Sequence, residues 1–327
     1  MKIAVLGAGA WGTALAISFS DNHAVSLWAR DAVQREALVR ERCNRRYLAD
    51  MAFPASLDVA PNVEAALSNA GLILIATTTS GLADTLNLAQ SVSAPIVWVC
   101  KGFDRDTGKL PHETVAERMP SSSRFGALSG PSFALEVARG LPCALTLAAN
   151  DFAFAQNMAA ELNGPTLRIY SSDDLIGVEL GGALKNVMAI AAGICDGMRL
   201  GMNARAALIT RGLAEMVRLG VAMGGKAETF MGLTGLGDLV LTATGDLSRN
   251  RMVGIKLAEG KSLDSILAEL GHVAEGVNSA QTALKRARSL RIDMPITAAV
   301  NAVLFDNADP RETVKRLLSR EAKTEVS

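Results

Sequence analysis

The sequence predicts an α/β protein in which an N-terminal, doubly wound sheet is followed by an all-α C-terminal domain. Short, continuous apolar runs alternate with helical stretches up to about Tyr170, and no convincing strand follows that point. Continuous apolar runs are typical of parallel strands covered on both faces, and their alternation with helices indicates βαβ units. A chain of 327 residues also suits two domains. We place the boundary so that the first domain spans 1–172 and the second 173–327.

The predicted elements follow from apolar patterns and flanking residues. In the first domain, the predicted strands are Lys2–Leu6, Ala24–Trp28, Leu72–Ala76, Ile96–Cys100, Phe125–Leu128 and Ala144–Ala148, and the predicted helix is Thr13–Ser20. In the second domain, the predicted helices are Leu175–Ile194, Ala204–Met223, Arg251–Glu259, Ser262–Leu270, Ser279–Leu290, Pro295–Phe305 and Pro310–Ser319.

The composition is that of a globular protein with a sizeable core, since 49% of the residues are hydrophobic and 20% are charged. Lys plus Arg and Asp plus Glu both number 33, and this balance leaves no basic excess for nucleic acid. The four cysteines are far apart and the three histidines are isolated, so we expect reduced thiols in a cytoplasmic protein and no metal site. Because the chain begins with a strand and its longest apolar stretch, Met188–Cys195, is short, we expect neither a signal peptide nor a membrane span.

A glycine motif directly after the first strand predicts dinucleotide binding. Gly7-Ala8-Gly9-Ala10-Trp11-Gly12 has the pattern G-x-G-x-x-G and opens a helix. In a Rossmann-type fold, Gly7 permits the tight turn, Gly9 lets the backbone approach a pyrophosphate, and Gly12 allows close helix–strand packing. The N-terminus of the helix then supplies N–H groups to the phosphates. We therefore predict that the first domain is of the Rossmann type.

The residues after the second strand bear on which dinucleotide binds. An acidic side chain there would bind the ribose 2′-hydroxyl of NAD, whereas Arg30 suits the 2′-phosphate of NADP. Asp31 follows immediately and keeps NAD open. The pattern predicts NADP or NAD as the cofactor, with NADP slightly favoured. The alternative for Arg30 is an arginine on a solvated turn.

Lys185 is the only charged residue between Leu180 and Cys195. A helix that is apolar all round is buried, and burying an unpaired ammonium is costly. We therefore predict a buried amine with a lowered pKa, able to donate and accept a proton near neutrality. The alternative is a lysine that reaches the surface. The neighbouring Asn186 offers two donors and an acceptor.

A glycine-rich turn, Thr234–Asp238, places a carboxylate before an apolar run. Asp238 is a candidate partner that would orient Lys185 and adjust its pKa. Thr242 lies one helical turn later and would share its face. The alternative is that Asp238 caps a helix.

Three further segments are candidate anion sites. Ser248-Arg249-Asn250 opens a helix, and a helix N-terminus with an arginine suits a phosphate, although such a tripeptide is commonly a cap with an exposed arginine. Gly130-Pro131-Ser132 is an ordinary turn when taken alone. Lys101 is more specific, because it follows a strand at its carboxyl end, where doubly wound folds bind ligands.

Taken together, these segments closely resemble the bacterial NAD(P)-dependent glycerol-3-phosphate dehydrogenases over nearly the whole chain. The resemblance rests on several blocks in the same order, namely GAGAWGTALA (7–16), CKGF (100–103), SGPSFALEVARGLPCA (129–144), GVELGGALKNVMAIAAGICDG (177–197), NARAALITRGLAEM (203–216), GLTGLGDLVLT (232–242), SRNR (248–251) and AEGV (274–277). One departure is Ala76-Thr77-Thr78-Thr79, which stands where the family usually has an Ala-Val-Pro turn near the nicotinamide.

The resemblance implies reversible reduction of dihydroxyacetone phosphate to sn-glycerol 3-phosphate, which supplies glycerophospholipid synthesis in the cytoplasm. It implies that Lys185 donates the proton in reduction and accepts it in oxidation, with Lys101 and Asp238 as further catalytic residues. Together with the motifs above, the predicted substrate residues are Lys101, Gly130, Ser132, Lys185, Asn186, Asp238, Thr242, Ser248, Arg249 and Asn250. The predicted cofactor residues are Gly7, Gly9, Ala10, Trp11, Gly12, Arg30, Lys101, Ala134, Arg249, Val273 and Glu275.

Two other interpretations stay open at this point. A related two-domain dehydrogenase that acts on a β-hydroxy acid or ketopantoate would share the sheet and the buried lysine, but it does not predict a phosphate site at Ser248–Asn250. A redox sensor would bind the dinucleotide without turnover, and the set formed by Lys185, Asn186 and Asp238 argues against it. The sequence does not fix the oligomeric state, for which a homodimer is one option.

Overall fold

The computed structural model describes residues 1–270 and 274–319. Its N-terminal part contains an eight-stranded sheet, and its C-terminal part is helical, which confirms the predicted fold class. The described strands are β1 (Lys2–Leu6), β2 (Ala24–Trp28), β3 (Cys43–Asn44), β4 (Leu48–Ala52), β5 (Leu57–Val59), β6 (Leu72–Ile75), β7 (Ile96–Trp98), β8 (Phe125–Ser129), β9 (Cys143–Ala149) and β10 (Leu167–Ser172).

Helices connect the strands, and the secondary-structure elements described after β10 are all helical. The N-terminal helices are α1 (Ala10–Phe19), α2 (Ala32–Glu41), α3 (Val63–Leu67), α4 (Thr79–Ala89), α5 (Pro111–Arg118), α6 (Ala134–Ala138) and α7 (Phe152–Leu162). The C-terminal helices are α8 (Leu175–Gly197), α9 (Met202–Ala222), α10 (Ala227–Met231), α11 (Asp238–Thr244), α12 (Arg249–Ala258), α13 (Leu263–Leu270), α14 (Glu275–Ser289), α15 (Pro295–Phe305) and α16 (Pro310–Leu318). A π-helical turn, Leu233–Gly237, joins α10 to α11.

The strand order β10-β9-β8-β7-β6-β1-β2-β5 defines the ligand-binding edge of the sheet. From β1 the chain passes to β2 and β5 on one side, and then returns to the other side of β1 at β6. The order therefore reverses between β1 and β6, and open α/β sheets bind ligands at the carboxyl ends of the strands at such a point. Gly7 after β1 and Ala76 after β6 lie side by side at this position.

Both faces of the sheet are covered, as the continuous apolar runs predict. Along β1, Ile3 and Val5 belong to one apolar core, Ala4 and Leu6 belong to another, and all four are fully buried. A separate core lies inside the C-terminal helices around α8. Because both faces of β1 pack against apolar side chains, the strand has no polar alternation.

Several boundaries in the N-terminal part differ from the predicted ones. α1 begins at Ala10 rather than Thr13, with Gly9 as its N-cap, so the helix starts inside the glycine motif. β6 and β7 end at Ile75 and Trp98, short of the predicted ends, whereas β8 and β9 are longer than predicted. The sheet is also not wholly parallel, since β9 pairs antiparallel with β8 and carries β10 with it.

The elements that the sequence pattern did not predict are the hairpin β3–β4, strands β5 and β10, and helices α2 to α7. α2 shows why a helix was missed here, because Leu38 is its only buried residue and no apolar stripe marks it. In the C-terminal part, α8 extends beyond Ile194 to Gly197, and α10 and α11 were not assigned. α9, α12 and α14 begin two to four residues before the predicted starts.

α8 is the central helix of the C-terminal part. Among the described residues it is the one helix that is long and apolar enough to cross a membrane. Of its most apolar 18-residue segment, 89% is buried inside the protein. The short apolar stretch Met188–Cys195 lies in the C-terminal portion of this longer helix of 23 residues. Burial on all sides is what a core helix of this composition requires.

Candidate active site

The glycine turn has the geometry that a pyrophosphate site needs. Gly7 has φ +120°, and a Cβ there would lie 2.6 Å from Ala76 O, so only glycine fits the turn. A Cβ on Gly12 would lie 2.1 Å from Gly7 O, which shows how closely α1 approaches the strand. A Cβ on Gly9 would meet nothing within 4 Å, so the space beside this backbone is open. The turn therefore fits a dinucleotide phosphate.

The N-terminus of α1 faces the same turn. Gly9 precedes the helix, and its N-terminus has neither a side-chain cap nor an acidic residue in the first turn. Ala10 and Trp11 are the first two helical residues, and both are partly exposed. Their backbone N–H groups belong to the end of a helix that attracts anions. This end of α1 can therefore accept the charge of a pyrophosphate.

Arg30 and Asp31 lie at the carboxyl end of β2 and differ in what they bind. Asp31 Oδ1 accepts hydrogen bonds from Val33 N (2.8 Å) and Gln34 N (3.2 Å) and so caps α2. Arg30 is 81% exposed, with Asp84 as a distant partner at 3.9 Å. The carboxylate is thus engaged by its own helix, whereas the guanidinium is available to a ligand.

Lys185 lies in the middle of α8 and is only 8% exposed. Its Nζ donates to Asp238 Oδ1 at 2.6 Å and to Thr242 Oγ1 at 2.9 Å. Thr242 Oγ1 in turn donates to the backbone oxygen of Asp238 at 2.6 Å, so the hydroxyl accepts from the lysine. The alternative in which Lys185 reaches the surface is therefore wrong, because the ammonium is buried with two oxygen partners.

Asp238 is positioned by the π-helical turn rather than by a loop. The segment Thr234–Asp238 was predicted to be a glycine-rich turn, but Leu233–Gly237 is π-helical, and Asp238 is the first residue of α11. The turn packs closely, since a Cβ on Gly181 of α8 would lie 2.5 Å from Thr234 O. The side chain of Asp238 does not cap α11, because its two oxygens bind lysines instead.

Lys101 completes this arrangement from the sheet. It follows β7 at the carboxyl edge, and its Nζ donates to Asp238 Oδ2 at 2.7 Å and to Gly130 O at 3.1 Å. One buried carboxylate therefore holds two ammonium groups, one from each part of the chain. Pairs of this kind keep their geometry because separating them would leave a buried charge unpaired.

The pKa values follow from this crowding. Burial lowers the pKa of Lys185 to about 8, with the Lys101 charge acting in the same direction and Asp238 opposing it. For Asp238 burial acts upward, but the charges of Lys101 and Lys185 outweigh it and hold the pKa of the carboxyl below its usual value. Lys185 can therefore exchange a proton near neutral pH while Asp238 stays ionised.

Gly130 and Ser132 form the turn after β8 next to Lys101. Gly130 has φ +144°, and its backbone oxygen accepts from Lys101 Nζ and from Ser132 Oγ (3.0 Å). Gly130 therefore contacts Lys101, and Ser132 contacts Gly130. Their hydroxyl and amide groups lie at the carboxyl edge of the sheet, where a substrate would bind.

The segment Ser248–Asn250 starts α12. Ser248 is buried and caps the helix by accepting from Arg251 N at 3.2 Å, while Arg249 is exposed. Asn250 Oδ1 accepts from Gly276 N at 3.1 Å. A Cβ on Gly276 would lie 2.7 Å from the backbone oxygen of Asn186 and 2.7 Å from Asn250 Oδ1. Both oxygens therefore lie close to Gly276, in the first turn of α14.

Glu275 lies among the same charges. Burial raises the pKa of its carboxyl, and the charges of Arg249, Lys101 and Lys185 oppose that shift. The Glu275 carboxyl therefore lies within range of the Arg249, Lys101 and Lys185 charges. Ala134, the first residue of α6, is partly exposed, and the predicted cofactor residue Val273 lies outside the described residues.

Two hydroxyl side chains near Lys101, those of Thr79 and Ser129, were not predicted as site residues. Thr79 Oγ1 donates to the backbone oxygen of Lys101 at 3.3 Å. Ser129 Oγ is buried without a hydrogen-bond partner, and a Cβ on Gly182 would lie 3.1 Å from it. Ser129 is the last residue of β8, and Thr79 follows β6, so both are near the carboxyl edge of the sheet. This position after a strand is the sequence signal that could have identified them.

A pyrophosphate turn at the reversal of the sheet, together with a buried lysine held by a carboxylate, defines an NAD(P)-dependent dehydrogenase. Models of the N-terminal and C-terminal domains of NAD-dependent glycerol-3-phosphate dehydrogenase match residues 2–155 and 174–315. The chain therefore belongs to the NAD-dependent glycerol-3-phosphate dehydrogenase family.

Individual relatives agree with this assignment. The chain is 55% identical to glycerol-3-phosphate dehydrogenase [NAD(P)+] from Janthinobacterium sp. (strain Marseille), with all of both chains covered. It is 56% identical to the enzyme of the same name from Thiobacillus denitrificans, covering 99% of this chain and 100% of that one. The crystal structure of glycerol-3-phosphate dehydrogenase from Coxiella burnetii is 40% identical and superposes with a TM-score of 0.92, covering 98% of this chain and 99% of that one. The predicted family, enzyme class and use of NAD or NADP are confirmed, and the relatives support this interpretation over the ketopantoate alternative.

Proposed function

We propose that this chain reduces dihydroxyacetone phosphate to sn-glycerol 3-phosphate, reversibly, and that Lys185 supplies the proton. The observation that carries the proposal is the buried Lys185 ammonium, held by Asp238 and Thr242 at 2.6 and 2.9 Å. A lysine with a pKa of about 8 exchanges protons at physiological pH without being permanently deprotonated.

The nicotinamide, when bound, supplies the hydride that adds to C2 of the ketone. Lys185 donates its proton to the C2 oxygen, so that the carbonyl becomes a hydroxyl and the lysine becomes neutral. Lys101, on the other oxygen of Asp238, stabilises the negative charge that develops on the ketone oxygen. Asp238 keeps the two amines in place, and Lys185 regains a proton from solvent before the next turnover. In oxidation the neutral lysine accepts the hydroxyl proton.

Arg249 is the residue we propose for the substrate phosphate. Its guanidinium is exposed at the start of α12, a helix of 10 residues whose N-terminus favours an anion. Ser248 and Asn250 stabilise this end of the helix. Gly130, Ser132 and Asn186 are the other substrate contacts that we propose. The proposal is supported by the bond from Ser132 Oγ to Gly130 O and by the position of the Asn186 backbone oxygen beside Gly276.

For the cofactor, we propose NADP or NAD bound across the glycine turn, with NADP slightly favoured. Gly7, Gly9, Ala10, Trp11 and Gly12 supply the pyrophosphate site, and the remaining proposed contacts are Arg30, Lys101, Ala134, Arg249, Val273 and Glu275. The preference for NADP is supported by the exposed Arg30 and by the capping role of Asp31, which engages the carboxylate that NAD would need.

We further propose that the chain acts in the cytoplasm, where its product supplies glycerophospholipid synthesis, and that it forms a homodimer. The division at 172/173 into a dinucleotide-binding and a catalytic domain belongs to this proposal. It is supported by the change from sheet to helices between β10 and α8.

The test is a comparison of substrates under matched conditions. NADPH and NADH are each oxidised with dihydroxyacetone phosphate, unphosphorylated dihydroxyacetone and ketopantoate, and kcat/KM is measured for each pair. We expect turnover of the phosphorylated ketone to exceed the other two by orders of magnitude. Equal or greater activity on ketopantoate would refute the proposed substrate.

A further inference from the structure

Glu179 is a buried carboxylate that the reaction above does not use. It lies on α8, six residues before Lys185, and its side chain is 2% exposed. Trp98 Nε1 and the backbone N–H of His112 both donate to Glu179 Oε1, each at 2.9 Å. The His112 ring pairs with Oε2 through Nδ1. Each carboxylate oxygen therefore has a protein partner.

These contacts join the catalytic helix to the N-terminal part of the chain. Trp98 is the last residue of β7, three residues before Lys101, and His112 lies in the first turn of α5. A buried carboxylate is stable only where its oxygens are hydrogen-bonded, and the loss of its partners is costly. The pairing therefore favours one position of α8 relative to β7.

Between Glu179 and Lys185, the same helix passes over the stem of Lys101. A Cβ on Gly182 would lie 3.3 Å from Lys101 Cγ and Cδ. Gly182 is three residues from Glu179 and three from Lys185, a spacing that keeps neighbouring contacts on adjoining parts of one helix surface. A shift of α8 along β7 would therefore change the position of Lys185 relative to Lys101.

We propose that Glu179 is a positioning residue, which anchors α8 to the sheet and so sets the separation of Lys185 and Lys101 across their shared carboxylate. The inference rests on the proposed function, because it concerns the lysines that carry the reaction. A displacement of about 1 Å at a reacting group can reduce turnover on the order of 10²-fold. Glu179 acts through the lysines and is not itself placed at the substrate.

The first test compares Glu179→Ala with Glu179→Gln. The alanine variant removes both oxygens, and we expect kcat to fall about tenfold or more while the KM for dihydroxyacetone phosphate and the Kd for NADPH stay within about threefold. Glutamine keeps an oxygen for Trp98 Nε1 and for the His112 backbone, so we expect its kcat to return to within about threefold of the wild type.

Glu215→Ala is the matched control. Glu215 is another buried carboxylate, which accepts from Ile296 N (2.6 Å) and Thr297 N (3.1 Å) at the start of α15. Its loss also removes buried hydrogen bonds, but not between α8 and the sheet. We expect a lower Tm with kcat per folded molecule within about twofold of the wild type. An equal loss of kcat in Glu215→Ala and Glu179→Ala would overturn the proposal, since general destabilisation would then explain both.

The pH profile supplies a readout that loss of stability alone does not move. We expect the pH at which ketone reduction declines, set by Lys185, to shift in Glu179→Ala and to stay unchanged in Glu215→Ala. A folded Glu179→Ala with wild-type kcat and pH profile would overturn the inference. If that variant does not fold, Glu179→Met replaces it, because methionine fills similar space but removes the acceptor for Trp98 Nε1 and the His112 backbone N–H. A wild-type kcat and pH profile in that variant would equally overturn the inference.

The two proposals fail in different ways. A wild-type protein that does not reduce dihydroxyacetone phosphate would remove the proposed function and this inference with it. A wild-type protein that is active, with Glu179→Ala equally active, would remove only the positioning role.

Discussion

Lys101 and Lys185 donate to opposite oxygens of the same buried carboxylate, at 2.7 and 2.6 Å. One lysine follows a strand of the sheet and the other lies within a helix of the C-terminal part, so Asp238 joins both parts of the chain at one point. This relationship explains why a lysine is tolerated in an apolar helix, because the carboxylate compensates the buried ammonium.

The proposed role of Lys185 predicts a pH dependence of the reaction. Reduction needs the ammonium, so kcat/KM for dihydroxyacetone phosphate should fall as the pH rises through about 8, while kcat/KM for glycerol 3-phosphate oxidation should rise. The Lys101 charge lowers the pKa of Lys185. Lys101→Met should therefore move the decline to higher pH. Steady-state rates between about pH 6 and about pH 10 measure this decline, and an unchanged profile in the variant would contradict the coupling.

The two glycines of the turn should behave differently. Gly9→Ala places a methyl group in open space, so the variant should fold normally while its Kd for NADPH rises about tenfold, equivalent to about 1.4 kcal/mol. Gly12→Ala would place a Cβ 2.1 Å from Gly7 O and should lower the Tm. Thermal unfolding and dinucleotide titration of both variants measure this. Normal NADPH affinity in Gly9→Ala would argue against the pyrophosphate site.

Arg249→Gln should lose preference for the phosphorylated ketone. A hydrogen bond to a charged group contributes about 1.5–3 kcal/mol, so the ratio of kcat/KM for dihydroxyacetone phosphate over dihydroxyacetone should fall about 10- to 100-fold. Lys256→Gln, in the last turn of the same helix, is the control and should keep the ratio. A ratio that is unchanged in Arg249→Gln would place the phosphate elsewhere.

Arg30→Ala should weaken NADPH more than NADH, because the proposed contact is with the 2′-phosphate alone. We expect the KM for NADPH to rise about tenfold and that for NADH to change less than about twofold. Arg40→Ala removes another exposed arginine at the opposite end of α2 and should alter neither. Equal effects on the two cofactors would show that Arg30 does not discriminate between them.

Local chemistry made part of the fold and site predictable. The glycine motif is a contiguous pattern, and its turn geometry depends on Gly7 and Gly12 themselves. Lys185 was predictable because it is a single charged residue in an otherwise apolar helix, and such a helix is buried. The hairpin β3–β4 and helix α2 were missed because they bury few apolar side chains. Their existence depends on tertiary contacts that leave little trace in a single sequence.

Local sequence patterns do not predict the π-helical turn before Asp238 or the partners of Glu179. The turn depends on the close approach of Gly181 to Thr234 O, which two distant segments create together. Glu179 and Trp98 are 81 residues apart in the chain, and no local pattern links them. Contacts of this kind become visible only when the sheet and the helices are assembled.

The most direct test of the account is Lys185→Met, measured for both turnover and dinucleotide binding. Methionine keeps the length and apolar character of the stem but has no proton to give. We expect kcat for dihydroxyacetone phosphate reduction to fall on the order of 10²-fold or more, with the Kd for NADPH unchanged. A folded Lys185→Met enzyme that turns over at a near-normal rate would contradict the assignment of the proton to this amine.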